Sequence, residues 1–321
     1  MFQELTFRAM NTGIQVLLES NMDAVQLETL IVEAFEQAEE RFSRFLPTSE
    51  CTYLNARSGQ LCIISSPMLE VIELSRHYQE QTNGAFNIRV GHVLRQLGYR
   101  QSFERVRESH TKLEQLPLES ASTMPIYVDA SMNAIRIPAG EELDFGGIVK
   151  SWTAHELANQ LRTEWQVCRG LVNAGGDVVV WGGATEDEPW LIGIANPHAS
   201  DPSQEAALHL RSGAVATSST LRRKWQTSQG EMHHLIDIRT MRPSQSSVIQ
   251  CTVVGMDLME CEVWAKVLCM LGHEEGVPFF QQRTQGMEAI LYTSHGEVFQ
   301  VKPPYGGVEL TWTGLKGVRN L

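Results

Sequence analysis

Paired glycines set against short apolar runs constrain this chain more than any other feature. Leu171-Val172-Asn173-Ala174-Gly175-Gly176-Asp177 leads into Val178-Val179-Val180, which stops at Trp181-Gly182-Gly183. Trp190-Leu191-Ile192-Gly193-Ile194-Ala195 follows. Glycine reaches positive φ without a Cβ penalty, so these segments read as strands joined by tight turns. Another pair, in Asp144-Phe145-Gly146-Gly147-Ile148-Val149-Lys150, precedes a helical pattern that continues to about Arg162. Strands outnumber helices along the chain and do not alternate strictly with them. The fold class that follows is α+β rather than doubly wound α/β.

The remaining elements fit that class. Residues 4–20 read as extended segments around Met10-Asn11-Thr12-Gly13. Asp23 and Gln26 have capping-box spacing and open a helix with Leu27, Leu30, Ile31, Ala34, Phe35, Ala38 and Phe42 on its apolar face. Leu46-Pro47-Thr48-Ser49 stops it. Ser66-Pro67 starts a second helix, with proline in its first turn, and Asn83-Gly84 ends it. Residues 101–123 are polar and charged and read as a peripheral excursion; residues 197–206 read as a polar loop. Ile126–Val128, Ala134–Ile137, Gly213–Thr217 and Val248–Val254 are strand candidates. A late helix carries Glu262 and ends at Gly272. Ala289–Tyr292 and Val298–Val301 flank Ser294-His295-Gly296, a hairpin signal.

Bulk properties narrow the function. The chain has 321 residues, 42% of them hydrophobic, enough for a sizeable core. Its net charge is −12 and no polybasic run appears, which argues against a nucleic-acid surface. Met1 to Arg8 lacks the basic and apolar regions of a signal peptide, and no stretch approaches the roughly 20 apolar residues of a membrane span. The six cysteines are scattered, with no C-x-x-C pair. That spacing argues against zinc and for reduced thiols in a cytoplasmic protein.

Several clusters could carry chemistry, and each has a plainer structural reading beside it. Gly146-Gly147 before a helix with Lys150 in its first turn could receive an anion, or simply turn the chain. Asn173 to Asp177 is a second such turn. In Met232-His233-His234-Leu235-Ile236-Asp237-Ile238-Arg239-Thr240, a histidine could take a proton, Asp237 could orient a ring and Arg239 could grip phosphate. The same run could equally be a polar turn between strands. Thr217-Ser218 with Arg222-Arg223-Lys224 is a phosphate-contacting strand end or a solvated basic turn. Glu262 and Lys266, four apart on one helix face, form an ordinary exposed-type pair worth ~0.2–0.5 kcal/mol, or an electrostatic centre.

The order of these clusters is more specific than any one of them, and it resembles that of the ApbE family of flavin transferases (FAD:protein FMN transferases). Phe7-Arg8-Ala9-Met10-Asn11-Thr12 is similar to the family's F-x-x-M-G-T. Ser49-Glu50 to Leu54-Asn55 is like S-E-x-x-x-L-N, and Thr82-Asn83-Gly84-Ala85-Phe86-Asn87 with Val90-Gly91 is like T-x-G-A-F-D-P-T-V-G. Leu143 to Lys150 is close to L-D-L-G-G-I-A-K, Leu171 to Asp177 to L-V-N-A-G-G-D, and His233 to Thr240 to H-H-I-D-P-R-T-G. Thr217-Ser218 resembles T-S-G. The resemblance runs from about residue 7 to residue 293. It implies one ApbE-like domain over residues 1–321, with space for two subdomains meeting at an FAD cleft.

The resemblance also implies an activity. Family members bind FAD and, with a divalent cation such as Mg²⁺, transfer its FMN half to a Ser or Thr hydroxyl of a target flavoprotein, releasing AMP. Carried over position by position, Met10, Phe45, Ala85, Phe86, Asn87, Asp144, Lys150 and Ile236 would contact FAD. His234 would be the general base. Gly147, Glu262, Ala265 and Lys266 stand at the metal positions. The chain departs from the family pattern at several of these. Asn87 replaces Asp, Ile88 and Arg89 replace Pro and Thr, Ser151 replaces Gly, His155 replaces Asp, Ile238 and Met241 replace Pro and Gly, Glu262 replaces Asp, and Lys266 replaces Thr. A protonated ammonium cannot ligate a metal. The alternatives are therefore a catalytically impaired FAD-binding relative without a metal site, and an FAD pyrophosphatase.

Overall fold

The structure is a computed structural model that describes residues 1–106, 124–183, 188–199 and 205–321. The fold is α+β. Most of the polar excursion expected over 101–123, and half of the loop expected over 197–206, lie outside the described residues. The chain divides into two units, Met1–Ala34 with Lys150–Ser219 and Gln245–Leu321, and Phe35–Val149 with Thr220–Ser244. Helices Ala24–Phe42 and Val149–Thr163 carry the chain between them.

The first unit is built on a nine-stranded sheet. Its spatial order is Phe2–Ala9, Thr12–Glu19, Arg169–Ala174, Val178–Trp181, Gly213–Ser219, Val248–Gly255, Glu288–Thr293, Val298–Val301 and Val318–Asn320. All pairings are antiparallel except the last. Met10 and Asn11 both have positive φ, 51° and 58°, so a two-residue turn of the kind that suits strand twist closes the first hairpin. Its tip lies against the second glycine turn. A Cβ on Gly175, whose φ is +73°, would fall 2.1 Å from the Thr12 hydroxyl.

Helix Leu258–Arg283 packs on strands Gly213–Ser219 and Val248–Gly255. Gly272 breaks it, with φ 77° and ψ 179°, at the residue where the sequence ends the helix; a second helical stretch follows. The other face of the sheet buries Val178, Val180, Val215 and Val254 against a three-stranded sheet of Trp190–Ile194, Ala206–Leu210 and Leu310–Thr313. The first two strands of that small sheet alternate strictly between buried and accessible, as period-two strands over a core must.

In the second unit, helix Ser66–Gln81 begins at Ser65, whose hydroxyl accepts from the Met68 N–H, with Pro67 in the first turn. Cys62–Ile63, Ala134–Arg136 and Tyr127–Asp129 form a small sheet. Hairpins Lys224–Thr227 with Gly230–His233, and Ile236–Asp237 with Arg242–Pro243, follow one another. Their apolar residues join Val93, Leu94, Leu97 and Tyr99 in a core centred on Trp225, whose indole donates to the Leu97 carbonyl at 2.7 Å. Among the described residues, no helix is long and apolar enough to cross a membrane.

Candidate active site

The chemistry-bearing residues fall into two clusters, one in each unit. In the first unit, the helix after the Gly146-Gly147 turn starts at Val149, so Lys150 and Ser151 stand in its first turn. Asp177 follows the second glycine turn, which Asn173 shapes by accepting the Gly176 N–H at 2.9 Å while the Ala174 N–H donates to the Asp177 carbonyl. Glu262 and Lys266 share one face of the helix that covers the sheet. These five side chains meet.

Lys150 Nζ donates to Asp177 Oδ2 at 2.8 Å and to Glu262 Oε1 at 3.1 Å. Lys266 Nζ donates to the same Glu262 oxygen at 2.7 Å. The Ser151 hydroxyl donates to Glu262 Oε2. Glu262 is 1% exposed and Ser151 fully enclosed. Lys266 keeps a partly accessible side chain.

The electrostatics follow from that enclosure. Burial by itself would raise the Glu262 carboxyl; the ammonium groups of Lys150 and Lys266 overcome it and hold the pKa at about 2. Asp177 moves the other way: burial raises it, Lys150 opposes, and the nearby Glu262 charge pushes it up further. Burial also lowers the Lys266 ammonium, against the pull of Glu262. The pair that sequence spacing would value at a few tenths of a kcal/mol is thus part of a buried network of two ammonium and two carboxylate groups.

Three of the departures from the family pattern meet at one carboxylate: Ser151 and Lys266 both donate hydrogen bonds to Glu262. The residues do not fit a divalent cation: both oxygens of Glu262 already accept hydrogen bonds from cationic or hydroxyl donors, and Lys266 brings positive charge where a ligand would bring a lone pair. Ala265 is buried in mid-helix. Among the described residues no three His, Cys, Asp or Glu side chains converge as metal ligands would.

The second cluster surrounds Asp144. Its carboxylate accepts from Arg44 and from the Gly146 N–H. The Arg44 guanidinium lies over the Phe45 ring at 4.2 Å and over the Tyr99 ring at 4.7 Å. Tyr99 stacks on Trp225, with centroids 5.1 Å apart. Gly147 lies in the adjoining turn, half-buried. Phe86 and Ile236 are buried, whereas Ala85 and Asn87 are half-buried. The Asn87 side chain accepts the Arg89 N–H, and Arg89 itself is enclosed in an ion pair with Glu141.

The histidine run resolves into distinct jobs. His233 Nδ1 accepts the Leu235 N–H and its Nε2 meets the Ser244 carbonyl at 2.9 Å, so the ring is held neutral with Nε2 protonated. Burial lowers its pKa accordingly. His234 is half-buried in the bend between the two hairpins. Arg239 grips Asp237 with its Nε and terminal nitrogen, so Asp237 holds the turn. That pair, and not burial, which acts in the opposite sense, sets the lowered Asp237 pKa.

The sequence motifs single out Lys150, Glu262 and Lys266 but not Asp177 or Arg44. Both sit inside quoted motifs or beside them, Asp177 as the last residue of the second glycine turn and Arg44 next to Phe45. That adjacency was the available signal.

The sequence model of the ApbE family matches residues 10–291. The chain belongs to the ApbE family. It is 23% identical over 307 residues to the FAD:protein FMN transferase of Klebsiella pneumoniae, covering 93% of this chain and 92% of that one. The FAD:protein FMN transferase of Vibrio cholerae is also 23% identical, over 85% of this chain and 82% of its own. The fold matches the crystal structure of the ApbE protein from Thermotoga maritima with a TM-score of 0.80 at 22% identity, over 93% of this chain and 96% of that one. The flavin transferase ApbE from Vibrio cholerae gives a TM-score of 0.75 at 20% identity, over 95% and 97%. These ApbE structures bear out the expected fold.

Proposed function

We propose that this chain is an FAD:protein FMN transferase whose cationic centre is made of lysine. The acceptor Ser or Thr oxygen attacks the phosphorus on the FMN side of the FAD pyrophosphate. The bond from that phosphorus to the bridging oxygen breaks, and AMP leaves with that oxygen. A positioned base and positive charge near the bridging oxygen are what this displacement requires. The observation that carries the reading is the convergence of Lys150 and Lys266 on one oxygen of Glu262.

In this reading Lys150 and Lys266 meet the pyrophosphate, while Asp177, Glu262 and Ser151 position them. No metal step is invoked, because the residues at Gly147, Glu262, Ala265 and Lys266 do not make a cation site. The formal charge of the four ionised groups sums to zero, so transfer is slow compared with a site holding a divalent cation, whose loss is worth several kcal/mol. His234 takes the acceptor proton; its neighbour His233 has both ring nitrogens committed to backbone, which supports that choice. Met10, Phe45, Ala85, Phe86, Asn87, Asp144 and Ile236 contact FAD, Phe86 and Ile236 through their backbone because their side chains are buried. A cytoplasmic location belongs to the same reading, supported by five buried free thiols.

The test is incubation with FAD and a flavoprotein domain bearing one acceptor threonine, followed by intact-mass measurement. The expected product carries one FMN on that threonine, and none when it is replaced by alanine. FAD binding without an adduct identifies a binding relative, and free FMN plus AMP without an adduct identifies a pyrophosphatase. Either result overturns the proposal.

A further inference from the structure

A cavity of about 520 Å³ lies in the first unit, between strands Glu288–Thr293 and Val298–Val301 and the chain from Lys302 to Leu315. Its volume falls in the range of small-molecule sites. Val308, Leu310 and Leu315 supply apolar wall, Trp312 an aromatic one, and Glu288 an acid. Two glycines shape it: a Cβ on Gly286 would meet the Gly307 Cα at 3.3 Å, and both glycines have positive φ.

Glu288 is 8% exposed. Its Oε1 accepts from the Trp312 indole at 2.6 Å and from the Gln300 amide. Both donors are neutral. Among the described residues no Arg, Lys or His lies within ion-pairing distance of Glu288, and its Oε2 accepts no hydrogen bond. A carboxylate withdrawn from water without a counter-charge is costly, and a cation delivered to its open oxygen removes that cost. The indole and amide fix the carboxylate in place before any ligand arrives.

The surroundings select the kind of cation. A metal ion wants several hard oxygen ligands, and Glu288 is the one acid lining the cavity. An organic cation on an alkyl stem wants one carboxylate, apolar wall for the stem and an aromatic ring for the charge. We propose that this cavity binds an alkylguanidinium or alkylammonium group, with Glu288 as its anchor and Trp312 as its aromatic wall. Lys302, exposed on the rim, is its competitor rather than its partner.

Calorimetric titration of the full chain with n-butylguanidinium and with N-acetyl-arginine methylamide tests this. Saturable binding of either is expected, with n-butylurea, the neutral analogue, not binding. Glu288→Gln keeps an acceptor for the indole and should weaken binding at least tenfold. Lys302→Ser, a surface change, should leave it unchanged or tighten it. Tighter binding of the arginine derivative assigns the site to a protein side chain, and tighter binding of butylguanidinium to a free small guanidine. Equal binding by folded Glu288→Gln, tighter binding of the urea, or no saturable binding of either cation at millimolar concentration overturns the proposal.

Discussion

Removing one carboxylate should cost this protein more than removing the lysine beside it. In Glu262→Gln, Lys266 loses the one carboxylate it pairs with among the described residues, and its ammonium stays largely enclosed. Lys150 loses this carboxylate and keeps Asp177 at 2.8 Å. Breaking a buried pair in this way costs about 3–5 kcal/mol. In Lys266→Met the network is left with one excess negative charge, but both carboxylates still contact the Lys150 ammonium, Glu262 keeps the Ser151 hydroxyl, and the methionine fills the space of the lysine stem. The expected cost is about 1 kcal/mol, the scale of one net hydrogen bond. The double variant should cost less than the sum by about 2 kcal/mol, a coupling expected of groups in direct contact. Urea denaturation of the four proteins at neutral pH, followed by circular dichroism, measures all three values. Equal losses for the two single variants, or strict additivity in the double one, would refute the reasoning that Glu262 is the hub.

Other consequences are also measurable. Glu262 is depressed from an ordinary 4.5 to about 2, so its stabilising contribution is present above pH 4.5 and fades as pH falls toward 2. Asp177, raised by burial, works in the opposite sense and offsets part of the loss. The Glu262 part alone is on the order of 3 kcal/mol, and a Glu262→Gln variant should show a flatter stability profile across that window. Glu262→Asp combined with Lys266→Thr should create Mg²⁺ binding that the parent lacks, read as a Mg²⁺-dependent rise in melting temperature. A metal-indifferent double variant would place the obstacle elsewhere, at Asn87 or His155. His234→Ala should lower transfer ~10²–10⁴-fold at unchanged stability, whereas His233→Ala should lower stability first, because its ring ties Leu235 to Ser244. Thermal melts alongside transfer assays separate the two.

The parts of the fold that were legible in the sequence are those with local causes. The runs at 213–217 and 248–254 lie in adjacent antiparallel strands, and Ser294-His295-Gly296 forms a hairpin turn. Gly272 ended its helical stretch because its φ of +77° lies outside the helical range. Strands Ala206–Leu210 and Leu310–Thr313 escaped notice. Each pairs with a distant segment, and a polar loop and glycine-rich stretches mask their alternation. The site divides the same way. Glu262 and Lys266 were visible as an i, i+4 pair, but their burial was not, and burial changes the pair from a surface ornament to a network hub. Lys150 with Asp177, and Arg44 with Asp144, are separated by 27 and 100 residues, distances at which only the folded chain brings partners together. Ser151 read as a lost glycine; the hydroxyl turned out to be what Glu262 binds.

The lysine-centred account is tested most directly by transfer in the presence of a chelator. With FAD, an acceptor-threonine domain and excess EDTA, the account predicts an FMN-modified acceptor that accumulates slowly and at the same rate when Mg²⁺ is supplied instead. An adduct that forms only with Mg²⁺, or no adduct under either condition, would contradict it.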